Sequence, residues 1–414
     1  MPDTEPPTGS DPEGTPGTTP DSPPPPGPPR SGAAAPGPAI LSRQELRRQS
    51  GSRESGSSRT WWYVLGAVAV VLIGTVATVA LTGKTTPKAA PAMVTTTSAA
   101  AVPGAPCPLT GAPAPGGTVP ARPALGVKIG NYPNDRPSAG LNQADIVFEE
   151  PVEGAITRLV AVFQCQGAAL VGDVRSARQP DAGILSQLSN PLFVHAGGIN
   201  PVIALLAASH LIDKNLYTGS NGSAIIQQPG RVAPFSTFVS TSTLWALAPS
   251  NTSPPAPIFT YSATLPSASV KGSGVSVHIP FSSSSDVTWQ WSPSAGKYLR
   301  FYGLTPDKLL NGSQTTASDV VIMSVPTAIG SWVENSEGGH EVDVTATGSG
   351  PLVVMRNGAA IAGTWSRATL AQPATLTASN GTPITLQPGN TWEELVPDGI
   401  AVTPSAAPSA TSGN

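Results

Sequence analysis

The stretch Gly172-Asp-Val-Arg-Ser-Ala-Arg-Gln-Pro-Asp181 decides how this chain is read, because strand-like spacing gives way there to helix-like spacing. Leu170 to Val174 reads as an apolar strand. Pro180 to Leu188 reads as a helix, with Asp181 in its opening turn, Ile184, Leu185 and Leu188 on one face, and Asn190-Pro191 as its stop. Arg175, Ser176 and Arg178 fall in the turn between them, at the carboxyl end of a strand, where open α/β sheets take their ligands. Backbone N–H groups and a helix dipole favour an anion at such a place, and two guanidinium forks suit a carboxylate or phosphate. The same arginines suit internal pairing with Asp173, Asp181 or Glu149. Two readings therefore stand, a ligand site and a structural network.

Outward from this junction the alternation continues. Strands are expected at Leu125 to Ile129, Asp145 to Glu150, Arg158 to Gln164 and Leu192 to His195, and a second helix at Pro201 to Leu211, so 107–258 reads as an α/β domain. From 275 to 398 the pattern changes to short β-branched or aromatic runs separated by turn dipeptides, which predicts a mostly β domain. Arg356-Asn357-Gly358 and Ser379-Asn380-Gly381 sit between such runs, and Asn-Gly supplies the positive φ angles of a two-residue hairpin turn. Trp289, Trp291, Trp332, Trp365 and Trp392 belong to this half and are expected to fill its core.

Upstream, residues 1–60 are dominated by Pro, Gly, Ser and Thr and read as a disordered cytoplasmic tail. Trp61 to Leu81 carries no charge and is long enough to cross a ~30 Å hydrocarbon core as one helix. Arg43, Arg47, Arg48, Arg53 and Arg59 precede it, against Lys84 and Lys88 after it, so the N-terminus is expected in the cytoplasm and the rest outside. Residues 82–106 read as a Pro/Thr/Ala-rich tether, and 399–414 as a disordered tail. Only 11% of residues are charged, with a formal net charge of -3, which gives no electrostatic reason to expect a nucleic-acid partner. The two cysteines, Cys107 and Cys165, lie on the oxidising side of this topology and are expected to pair, the alternative being a buried Cys165 with an unrelated exposed Cys107.

Several stretches resemble the YerB-like extracytoplasmic family, whose members join two domains of unknown function. These are CPLTG from Cys107, RPALGVKI from Arg122, RPSAGLNQADIVFEEPVEGAITRLVAVFQ from Arg136, VRSAR from Val174, HAGG from His195, VTWQW from Val287, KYLRF from Lys297, GTWS ending at Ser366 and PGNTWEELVP from Pro388. The resemblance runs from Cys107 to Pro397 and implies an extracytoplasmic pair of domains in this order. Two departures stand out. The family implies a lipoprotein cysteine where this chain has an apolar span, and Ala-Pro-His-Asn where this chain has Ala233, Pro234, Phe235 and Ser236. The family brings no settled activity.

No P-loop, dinucleotide fingerprint or zinc-ligand spacing occurs, so no cofactor or metal is expected. The candidate ligand set is Arg175, Ser176 and Arg178 with Arg158, His195 and Glu149. A Ser176, His195, Asp173 triad is conceivable, without a nucleophile elbow to support it. The expected function is a membrane-anchored envelope module that binds a cell-wall polymer or an envelope assembly protein. The alternative is an envelope hydrolase that uses Glu149, Glu153 or Asp181 with His195.

Overall fold

In the computed structural model, residues 104–406 are described, apart from 268 and 272. The expected cytoplasmic tail, the span 61–81 and the tether up to 103 lie outside these residues. Among the described residues no helix is long and apolar enough to cross a membrane.

One large mixed sheet organises the molecule. In chain order its strands are β1 (Leu125–Gly130), β2 (Ile146–Val152), β3 (Ile156–Phe163), β4 (Leu192–His195), β5 (Ile212–Asn215), β6 (Val270–Lys271), β7 (Asp319–Val325), β8 (Gly348–Arg356), β9 (Ala359–Arg367), β10 (Thr375–Ala378) and β11 (Thr391–Pro397). Their order in space is β10-β9-β8-β7-β11-β2-β3-β1-β4-β5, with β6 paired to β9. The mixed α and β half and the mostly β half thus share a sheet. The join is β11, which runs parallel both to β2 and to β7.

The sheet is buried on both faces, and the alternation of side chains along each strand divides its residues between two cores. Val127, Ile129, Val147, Leu159 and Ala161 join one core, which a smaller antiparallel sheet covers with Val277, Ile279, Val287, Trp289 and Tyr298. Ile146, Phe148, Val160 and Val162 join the other, under helix α1 (Gln179–Leu185) and helix α2 (Asn200–Ala208), which contribute Ile184, Leu185, Val202 and Leu206. Trp289, Trp365 and Trp392 are fully buried, whereas Trp291 and Trp332 are only partly so. The hairpin turn between β8 and β9 has positive φ at both Asn357 and Gly358, 49° and 71°, as its two-residue geometry requires.

Local elements differ from the sequence expectation in several places, and the expected helix Pro201 to Leu211 ends at Ala208. The strand expected at Leu170 to Val174 shrinks to Val171–Gly172, which pairs with Thr237–Val239, while Val174 keeps an isolated bridge to Ile129 of β1. The expected helix Pro180 to Leu188 is α-helical only to Leu185 and closes with a 3-10 turn over Ser186–Leu188. Part of the segment expected as a C-terminal tail is ordered, since Pro404 and Ser405 pair with Val277 and Ser276.

The cysteines are joined, Cys107 to Cys165, with Sγ–Sγ 2.06 Å and Cα–Cα 5.9 Å. The bridge ties the entry segment to the end of β3 and is buried against Ala114 and Val119.

Candidate functional site

β1, β4 and β5 are mutually parallel and end together, and the loops that follow them meet the turn at Arg175. Backbone hydrogen bonds lace this turn in place. Arg175 N donates to Lys128 O at 3.0 Å, Ala196 N to Arg175 O at 2.9 Å, and Ala177 N to Gly197 O at 2.9 Å. Ser176 Oγ donates to Ala196 O at 3.1 Å. Gly197 holds φ of 84°, a left-handed conformation suited to glycine, and lies between Ser176 and the ring of Tyr217.

The three clustered arginines have different fates. Arg178 is buried and fully engaged: Nε donates to Glu153 Oε2 at 2.7 Å, Nη2 to Glu153 Oε1, and Nη1 lies 3.1 Å from Glu334 Oε2. Burial disfavours its charge, but Glu153, Glu334 and Glu341 outweigh that and hold the guanidinium above its ordinary value. Burial likewise pushes the Glu153 carboxyl up, and Arg178 and Arg158 overcome it to bring the group down to about 2. Arg158 is buried beneath them, donating to Ser176 O at 2.9 Å and to Glu153 Oε1 at 3.4 Å. For Arg158 and Arg178 the structure displays the internal network.

Arg175 is different. Its Nη1 donates to Pro234 O at 2.9 Å, and its nearest carboxylate oxygens are Asp135 Oδ1 at 3.6 Å and Asp173 Oδ2 at 3.9 Å, both too far for a hydrogen bond. Nε and Nη2 have no protein partner among the described residues, and the side chain keeps 20% of its exposure. Phe235 lies under the guanidinium, 5.2 Å from ring centroid to Cζ. The loop that supplies Pro234 and Phe235 is anchored by Arg231, which donates to Asp135 O at 2.8 Å and Pro137 O at 2.6 Å. Asp173 keeps its carboxyl above the usual range, first through burial and then through Asp135. Exposed aromatic surface borders the place: Tyr217 is 61% exposed, and Tyr132, also exposed, opens the turn that carries Asp135.

The helix beyond the turn adds no free anion site. α1 has only seven residues, and the Asp181 carboxylate already accepts from Arg178 N at 2.7 Å. An incoming anion there would meet a carboxylate in its place. Asp181 also pairs with the buried Lys128 at 2.7 Å, and Lys128 pairs with Glu150 as well.

The remaining sequence candidates are dispersed. Glu149 faces the opposite side of the sheet from Glu150 and accepts from Arg300 at 2.6 Å and Thr157 Oγ1 at 2.6 Å. His195 is buried, with Nε2 2.7 Å from Asp213 Oδ1 and Nδ1 2.7 Å from Gly197 O. Asp173 Oδ1 accepts from Thr237 N at 3.0 Å. Ser176, His195 and Asp173 make no hydrogen bond to one another; Glu149 and His195 bond to different partners, while Glu153 and Asp181 share Arg178, through its side chain and its backbone N–H respectively. Among the described residues no cluster of His, Cys, Asp and Glu could hold a metal ion. Sequence reading missed Asp135, Pro234 and Tyr217. Asp135 and Pro234 lie in loops that only tertiary structure brings to Arg175, and Tyr217 follows a polar strand, Ile212–Asn215, without the alternation that marks one.

A continuous sheet built from a mixed half and a mostly β half defines a two-part protein whose sequence matches two family models. These are the Protein of unknown function (DUF3048) N-terminal domain, over residues 109–253, and its C-terminal domain, over residues 277–392. The chain belongs to this family. It is similar to the protein named "Putative lipoprotein YerB" of Bacillus subtilis (strain 168), 47% identical over 73 residues, a match spanning 18% of this chain and 22% of that protein. The fold is shared with the crystal structure of YerB protein from Bacillus subtilis, at 22% identity and a TM-score of 0.61, covering 72% of this chain and 99% of that one.

Proposed function

We propose that this chain is a membrane-associated, extracytoplasmic binding module of the cell envelope, and that Arg175 recognises a carboxylate or phosphate on a wall component. One observation carries the reading. Of three clustered arginines, Arg158 and Arg178 are committed to Glu153, while Arg175 keeps Nε and Nη2 without a protein partner among the described residues, beside Pro234 and Phe235. Adjacent Nε–H and Nη2–H groups form one face of the guanidinium fork, which matches two oxygens of one anion. Phe235 and Pro234 hold the fork in place, so less side-chain freedom is lost on binding. Tyr217 and Tyr132 offer aromatic faces of the kind on which a sugar ring packs.

The extracytoplasmic location draws support from the Cys107–Cys165 bridge, the uncharged run 61–81 and the lipoprotein name of the similar Bacillus protein. The test is co-sedimentation of the detergent-solubilised full chain with purified sacculi, before and after removal of their anionic polymers. Saturable binding by intact sacculi supports the module. Absence of binding to both preparations removes the wall as its target.

A further inference from the structure

The ribbon formed by Thr327–Val333 and His340–Val344 plays no part in the Arg175 site. It is a separate two-stranded sheet. The His340–Val344 strand lies against α1 and β2, whereas Thr327–Val333 packs mainly on its partner strand. Its outer side is apolar and open, with Ile329 75% and Val333 50% exposed.

Its register shows which backbone groups are unused. Thr327, Ala328 and Ile329 stand opposite Val344, Asp343 and Val342. Thr345 N donates to Pro326 O at 2.9 Å, so the 326/345 pair is a bonded one. Bonded and unbonded pairs alternate in an antiparallel ladder, which makes Ala328/Asp343 the next bonded pair. Thr327 and Ile329 therefore turn their N–H and C=O groups outward, away from the ribbon. Beyond Ile329 the ladder is bulged until Val333, which limits the pairing edge to these residues.

Ile329 and Val342 also border a cavity of about 430 Å³, shared with Val152, Ile156, Phe281 and Pro397. A strand laid along Thr327 and Ile329 would project alternate side chains over this apolar hollow. From Pro326 to Thr345 the chain carries no Lys or Arg; of its four acids the side chains of Glu334 and Glu341 are buried beside Arg178, which leaves Glu337 and Asp343 to face outward. Glu337 is exposed and Asp343 partly so.

We infer that the Thr327–Val333 edge is a docking site for an extended polypeptide segment of a partner protein, in which apolar residues alternate with Lys or Arg. Backbone pairing to Thr327 and Ile329 supplies the grip, the cavity selects an apolar side chain, and Glu337 and Asp343 select the basic flank. This surface is independent of the Arg175 reading.

The test is fluorescence anisotropy of a labelled ten-residue peptide of alternating Val and Lys, titrated with the detergent-solubilised full chain. A Val/Glu peptide and a Val/Lys peptide with a central Pro serve as controls. The Val/Lys peptide is expected to bind at least tenfold more tightly than either control. Ile329→Pro, which removes an outward N–H and no ribbon bond, is expected to weaken binding at least tenfold, while Ile329→Val retains it. Hydrogen exchange on the unmutated chain gives an independent reading, with slowed exchange of the Thr327 and Ile329 amides when the Val/Lys peptide is present. Equal binding of all three peptides, or unchanged exchange at both amides with the peptide bound, overturns the inference.

Discussion

Arg300 donates to Glu149 at 2.6 Å across the core, joining the smaller sheet of the second half to β2 of the first. Both side chains are fully buried, and Arg300 also bonds Asp307 at 2.9 Å and packs near the Trp392 and Tyr302 rings. Burial disfavours the charge of Arg300, and Glu149 is the foremost of the groups that restore it. Glu394 stands beside the pair, its carboxyl pushed well above the usual carboxylate range first by burial and then by Glu149.

Removing one member of a buried pair leaves the other uncompensated, at a cost of about 3–5 kcal/mol. Arg300→Ala is therefore expected to lower the stability of the whole described unit by that amount, measured as a shift of the urea midpoint. Pairing Arg300→Met with Glu149→Gln is expected to recover part of the loss. An unchanged midpoint in Arg300→Ala would mean that the pair does not hold the halves together.

The Cys107–Cys165 bridge spans a sequence separation of 58. Closing a loop of that length restricts the unfolded chain, and its loss typically costs about 2–4 kcal/mol. A Cys107→Ser/Cys165→Ser variant, or the reduced protein, is expected to melt several degrees lower. Equal melting with and without reductant would count against the bridge.

Much of the fold is legible in the sequence, and what is missing has a physical cause. Leu192 to His195 is a strand as its apolar run predicts, and the Asn357-Gly358 turn follows from residues tolerant of positive φ. Glu149 and Glu150 diverge as strand neighbours must. The insertion of β11 between β2 and β7 is not legible, because Thr391-Trp-Glu-Glu-Leu-Val-Pro397 carries two acids in a buried central strand. Their burial depends on Arg300, Arg367 and protonation, which local pattern does not encode. Similarly, the arginines at 175 and 178 are alike in sequence and are distinguished only by Glu153 and Glu334 arriving from elsewhere.

Several buried carboxyls set the pH response. Burial raises Asp145, Asp319 and Glu393 to about 7, each opposed by hydrogen bonds or a nearby arginine that does not prevail. Between the unfolded value near ~4 and the folded value, the folded state binds the additional proton, so stability falls as pH rises through that window. Glu153 has the opposite sign, and its contribution is lost as pH falls from ~4 through about 2. The denaturation midpoint is therefore expected to be higher at pH 5 than at pH 8, by on the order of a few kcal/mol in stability. Glu393→Gln is expected to reduce that difference. A midpoint that rises from pH 5 to pH 8 would contradict these assignments.

The measurement closest to the central claim compares Arg175→Gln with Arg178→Gln in sacculus binding by the full chain. A charge-assisted bond contributes about 1.5–3 kcal/mol, so Arg175→Gln is expected to weaken binding by roughly tenfold or more while the melting temperature stays near that of the parent. Arg178→Gln, which breaks the pairing with Glu153 and Glu334, is expected to lower the melting temperature first. Undiminished binding by a folded Arg175→Gln protein would contradict the account.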